Sequence, residues 1–172
     1  RTEETPPAEI NRLLLPPAED LAKAEAAVNE IVARVRAEGD AAVLEYTRRF
    51  DWGEATLEGL RVTPEEMEAA VEAVDPKVIH AMSAAIEHIR RYHERQLPQS
   101  WFDEMAPGLT LGQRFLAIDS AACYVPTRKA SIPSSLLMSV VPAQVACVPR
   151  IVVVGPPQAD GAMPQGVLAA AH

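Results

Sequence analysis

Between Cys123 and Pro157 the chain reads CYVPTRKASIPSSLLMSVVPAQVACVPRIVVVGPP, an order of residues that few folds accommodate. Arg150 to Val154 is a near-continuous apolar run, the pattern of a parallel strand covered on both faces, and Gly155, Pro156 and Pro157 end it. Upstream, Ala121 to Val125 reads as another strand, which Pro126 breaks. The polar loop Thr127 to Ser131 follows, and Pro133 with Ser134 and Ser135 opens a helix expected to run to about Val145. Pro142 should kink or restart that helix, because proline lacks the amide donor and clashes with the preceding turn. Strand, helix and strand in this order imply a right-handed parallel crossover. The expected fold class is therefore α/β, with ligands outside the carboxyl ends of the strands.

The helix start carries hydroxyl side chains and free backbone amides, which suits an anion such as a phosphate. Serine that merely caps its own helix is the other reading of the same residues. There is no GxGxxG and no P-loop lysine motif. The chemistry of these residues alone leaves an α/β domain of unassigned purpose.

The rest of the chain reads mostly as amphipathic helix. Residues 1–17 include Pro6, Pro7, Pro16 and Pro17 and cannot form a long helix. They are expected to be an extended arm whose Ile10, Leu13, Leu14 and Leu15 lie on an apolar surface, a second subunit being one candidate. From Ala18, Val28, Ile31, Val32 and Val35 make one helical stripe, which Gly39 ends. Asp40 caps a second helix with Val43, Tyr46, Thr47 and Phe50 on one face. Thr63, Pro64 and Glu66 announce a third through a capping box. Asp75 and Pro76 announce a fourth, with Ile79, Met82, Ile86 and Ile89 on its buried side. His80, His88 and His93 all fall on this fourth helix, but none is four residues from another, so they read as surface groups rather than a metal pair. Pro98 ends the helix, Leu109 to Phe115 alternates as a short strand, and the change of composition near residue 98 is the expected domain boundary.

Forty-eight per cent apolar and 23 per cent charged residues describe a globular protein. A net charge of −8 argues against nucleic acid and anionic membrane as partners, since both require a basic face. No signal peptide and no run of about eighteen apolar residues is present, so a cytoplasmic location is expected. Cys123 and Cys147 read as free, buried thiols. An opening on Arg1 and a closing GVLAAAH, which reads as a helix in progress, suggest a piece of a longer protein.

IVARVRAEGDAAVLEYTRRFD, residues 31–51, and the segment 123–157 together resemble the N-terminal part of the histidinol dehydrogenase family. That family carries a valine-arginine-x-x-Gly-Asp-Ala-Ala helix junction, then Tyr-Val-Pro-Gly-Gly, Pro-Ser-Ser and a helix containing Leu-Met. The resemblance implies an N-terminal arm and helices, residues 1–97, leading into the first part of an incomplete Rossmann-like parallel-sheet domain, residues 98–172. It also implies NAD- and zinc-dependent oxidation of L-histidinol to L-histidine by a homodimer acting on a small amino alcohol. Tyr124 matches the family's cofactor-contacting tyrosine. On its own residue chemistry Tyr124 suits either stacking on a cofactor or packing at a strand end.

The family's zinc ligands and its Glu-His base pair lie later in its sequence, so the resemblance places no catalytic or metal residue in this chain. The chain by itself is expected to be inactive. Where the family has glycine this sequence has Ala122, Thr127, Arg128 and Cys147. Either the loop after Tyr124 takes another path or it no longer cradles the cofactor as its relatives do. Arg128 and Lys129 suit a phosphate or solvent equally. A truncated or degenerate paralogue acting as a binding module is the reading from another class.

Overall fold

The computed structural model describes Pro6, residues 18–127 and residues 131–172, with side chains from Leu21 onward in the first helix. The expected arm, apart from Pro6, and the Arg128–Lys129 pair lie outside the described residues. The chain divides into two compact units, residues 1–49 and 50–172.

The first unit is a pair of helices, α1 (Ala18–Glu38) and α2 (Asp40–Phe50, whose last residue falls in the second unit). Gly39 joins them at φ +61°, a left-handed conformation that costs a residue with a Cβ, and its amide donates to Val35 O at 2.8 Å. Arg34 ties the pair together. Its Nε donates to Glu38 at 2.9 Å, its Nη1 donates to Glu45 at 2.8 Å, and its guanidinium lies 5.4 Å from the Tyr46 ring centre. The bond from Arg34 holds the Glu45 carboxyl below its ordinary pKa, and Glu45 in turn raises that of Arg34. Because the folded value of Glu45 is depressed, its contribution is present at neutral pH and is lost as acid carries the pH down through that lowered value. The expected stripe of α1 is only partly covered, with Val28 55% and Val32 39% exposed.

The second unit opens on a loop and a short 3-10 turn, Glu58–Leu60, followed by α3 (Pro64–Ala73) and α4 (Pro76–Glu94). Both helices begin where local chemistry dictates. Thr63 accepts from the Glu66 amide at 3.2 Å while the Glu66 carboxylate accepts from the Thr63 amide at 2.7 Å, and Asp75 accepts from the Lys77 amide at 2.8 Å.

An antiparallel hairpin follows, β1 (Trp101–Ala106) and β2 (Leu109–Gln113), with a bulge between Glu104 and Ala106 and Gly108 at φ +77° in its turn. Every residue of the hairpin is exposed, Trp101 and Phe102 by 48% and 66%. Then come β3 (Ser120–Tyr124), α5 (Pro133–Val145), β4 (Arg150–Val154) and α6 (Gln165–Ala171). β3 and β4 pair in parallel from Ser120 opposite Arg150 to Tyr124 opposite Val154, so the expected strand-helix-strand unit is present and the chain is α/β.

α5 is the hub. It is apolar nearly all round, and it packs on α4, α6, β3 and β4. Leu136 and Leu137 on α5, Val125 after β3, Val167 on α6 and Met82 on α4 form the core, and Ile79, Ile86 and Ile89 close on it as their spacing predicts. Pro142 does not restart the helix, which runs as one element from Pro133 to Val145. The strand β4 is not covered on both faces. Ile151 and Val153 are half-buried, whereas Val152 and Val154 are 40% and 47% exposed. Among the described residues no helix is long and apolar enough to cross a membrane.

α5 ends in a Schellman closure, with Cys147 N–H donating to Gln144 O at 2.9 Å and Val148 N–H to Ala143 O at 3.0 Å. The closure needs a left-handed residue at position 147, and Cys147 supplies it at φ +58°, the sole non-glycine with positive φ among the described residues. Cys147 is therefore exposed beyond the helix end, and only Cys123 is the buried thiol that both cysteines were expected to be. Relief of a left-handed Cβ is worth about 1 kcal/mol. Cys147→Gly should raise the melting temperature by roughly 2–4 °C, and Cys147→Val should lower it. Equal melting of all three proteins by calorimetry would remove the strain argument.

Candidate site at the carboxyl end of the parallel pair

Alternation sorts the two strands into faces. Cys123, at 7% exposure, and half-buried Ala121, Ile151 and Val153 share the buried side, on which α5 packs. Ala122, Tyr124, Val152 and Val154 share the open side. Tyr124 is the last residue of β3 and is 64% exposed, so its ring is available at the carboxyl end of a parallel strand rather than packed in the core.

Beyond Tyr124 the strands stay joined. The Val125 amide donates to Val154 O at 2.8 Å, and the Thr127 hydroxyl donates to Pro156 O. Gly155 permits this approach, since a Cβ there would stand 2.6 Å from Val125 O. A cleft of about 410 Å³ opens beside these strand ends, lined by Asp51, Thr127, Pro157, Gln158 and Ala159. Its size falls in the range of small-molecule sites. Tyr124 is not among the lining residues.

Two of the lining residues, Gln158 and Ala159, lead into a turn. The Gln158 amide donates to Ala162 O at 2.8 Å, Gly161 N–H donates to Gln158 O at 2.9 Å, and Ala162 N–H donates to the Asp160 carboxylate at 3.0 Å. Gly161, at φ +84°, leaves room for the Trp52 indole, which a Cβ would meet at 2.5 Å. Trp52 follows Asp51 directly, so this packing anchors the loop that brings Asp51 to the cleft.

The order of elements placed the strand ends and the family resemblance singled out Tyr124, but neither pointed to Asp51, Gln158 or the Thr127 bond. The Asp160–Gly161 pair was the available signal for the turn. At the start of α5, Ile132 is the N-cap and no side-chain capping bond is made, so Ser134 and Ser135 do not cap the helix as the simpler reading proposed. Ser139 instead bonds back to Ser135 O at 2.9 Å. His80 and His88 are exposed and His93 is half-buried, its ring edge-on to Tyr92 at 5.3 Å. Among the described residues no group of three or more His, Cys, Asp or Glu could hold a metal ion, and the residues present do not fit zinc.

The family model for histidinol dehydrogenase matches residues 15–172. Histidinol dehydrogenase from Geobacillus kaustophilus (strain HTA426) is 48% identical over 146 residues, covering 85% of this chain and 34% of that protein. The one from Bacillus subtilis (strain 168) is 49% identical over 144 residues, covering 84% and 33%. The crystal structure of histidinol dehydrogenase from Elizabethkingia anophelis superposes with a TM-score of 0.81 at 28% identity, over 97% of this chain and 38% of that one. The chain thus spans about a third of the length of the curated relatives it matches. With the matched model covering nearly all of the sequence and the fold agreeing, this chain belongs to the histidinol dehydrogenase family.

Proposed function

We propose that the chain is the N-terminal portion of a histidinol dehydrogenase-type oxidoreductase, which oxidises L-histidinol to L-histidine with NAD and zinc in the cytoplasm as a homodimer. The small amino alcohol is its substrate, and neither nucleic acid nor membrane is its partner. Residues 98–172 are the first part of its Rossmann-like domain. The observation that carries this reading is Tyr124, an exposed aromatic ring at the carboxyl end of a parallel strand, where α/β folds hold their ligands.

NAD, when bound, accepts the hydride. Tyr124 offers a flat apolar surface and a phenolic hydroxyl to it, and α5 holds the strand beneath in place. The family resemblance implies that the zinc ligands and the proton-transferring base come later in the sequence than the portion this chain matches, so the chain alone should produce no NADH from histidinol and NAD.

In a histidinol dehydrogenase completed with the remaining portion of a relative, Tyr124→Ala should raise KM for NAD about tenfold, a loss of the size expected for one aromatic contact. Its KM for histidinol should stay within about twofold. Unchanged NAD kinetics would remove Tyr124 from the cofactor site.

The second reading, a binding module without catalysis, is favoured by the open apolar side of the sheet at Val152 and Val154. A completed protein that shows no turnover while the chain still binds its complementary portion would establish it.

A further inference from the structure

Thr127 is the one buried polar side chain among the described residues, at 4% exposure. A hydroxyl taken out of water costs free energy unless it is bonded, and Thr127 meets that cost by donating to Pro156 O. The bond joins the segment leaving β3 to the segment leaving β4. It also supplies a donor where the backbone has few. Pro126, Pro156 and Pro157 carry no amide hydrogen, so the ladder that ends with Val125 N–H to Val154 O cannot continue through them.

The other atoms of Thr127 support the same junction. Its Cγ2 lies 3.5 Å from the position a Cβ on Gly155 would occupy, so the methyl packs against the backbone where β4 ends. Thr127 lines the cleft together with Pro157, Gln158 and Ala159, which follow Pro156 directly. A change in the distance between residues 127 and 156 therefore changes the width of the cleft. Gln158 is held by the bond from its amide to Ala162 O, so the latch at Pro156 acts on a segment whose other end is already tied.

We propose that Thr127 is a positioning residue whose hydroxyl latch on Pro156 fixes the spacing of the two strand-end loops, and with it the width of a cleft that admits part of a dinucleotide. The assignment of the cleft to a dinucleotide rests on the function proposed above, whereas the latch does not.

The test is amide exchange and NAD titration followed by NMR on a histidinol dehydrogenase completed with the remaining portion of a relative and on its Thr127→Val and Thr127→Ser variants. Valine keeps the shape and removes the donor, and serine keeps the donor. In Thr127→Val the amides of Val125 and Gln158 should exchange about five- to tenfold faster, the factor carried by one net hydrogen bond, while those of α5 stay unchanged. Thr127→Ser should stay within about twofold of the parent. NAD should shift Gln158 and Ala159 and bind Thr127→Val about five- to tenfold more weakly. Parental exchange at Val125 and Gln158 in Thr127→Val, or acceleration spread evenly through α5, overturns the latch. A latch response with equal NAD affinity in parent and variant overturns its role in the cleft. A latch response with no NAD shifts in any of the three proteins upholds the latch and overturns the cofactor reading.

Discussion

Gly161→Ala is expected to lower the unfolding free energy by about 2–4 kcal/mol and the melting temperature by roughly 5–15 °C. Two independent costs add at this position. The backbone sits at φ +84°, where an L side chain is strained, and the new methyl would stand 2.5 Å from the indole Cε2 of Trp52. The indole cannot retreat freely, because its other edge faces Gly59, where a Cβ would stand 2.9 Å from Cη2. Trp52→Leu removes the steric part, so Gly161→Ala in that background should cost only the backbone part, about 1–2 kcal/mol. Gly53 is the control, with open space around it and no positive φ, and Gly53→Ala should stay within about 0.5 kcal/mol of the parent. The measurement is urea unfolding of the four variants. A Gly161→Ala loss no larger than that of Gly53→Ala would mean that Trp52 does not anchor the loop.

What the sequence made legible was local chemistry. The Thr63–Glu66 capping box and the Asp75 cap were readable because every atom involved lies within a few residues, and both helices start where those cues place them. β4 was readable as well, since Arg150 to Val154 is short, apolar and bounded by Gly155 and the prolines. β1 was not. Its residues are exposed on both sides, so no in-out alternation marks it, and its bulge at Glu104 to Ala106 breaks the pairing register.

The candidate site divides in the same way. The strand ends could be placed because the strand-helix-strand order fixes where a ligand sits, whereas Tyr124 was singled out by the family resemblance and not by the order of elements. Asp51 comes to the cleft from a loop far earlier in the chain, through the packing of Trp52 on Gly161, and no spacing rule carries that contact. The replacement of glycine at position 127 raised two options, another loop path or a lost cradle. The described part of the loop shows a third use of the residue, a threonine whose hydroxyl is spent on Pro156 and which takes no positive φ. At Cys147 the glycine-like conformation is retained without the glycine, which is why strain collects there and not at Thr127.

Gly155→Ala should be nearly as costly as the change at Gly161, for a different reason. Position 155 has no positive φ, so the backbone accepts alanine, but the methyl would stand 2.6 Å from Val125 O. That oxygen belongs to a residue with 0% exposure whose amide is bonded to Val154 O at 2.8 Å, so it cannot swing away without loosening the strand pair. Overpacking of about 1–3 kcal/mol plus the weakening of one backbone bond gives an expected loss of about 2–3 kcal/mol. The displacement is directional as well. Pushing the β4 end away from Val125 lengthens the reach from Thr127 to Pro156, so Gly155→Ala should speed amide exchange at Val125 and Gln158 beyond its global effect. Adding Thr127→Val to Gly155→Ala should then cost less than Thr127→Val alone, because the bond it removes is already weakened. Strict additivity of the two changes in stability and in exchange would show that the strand ends move independently, and the glycine would then serve only to let the chain pass.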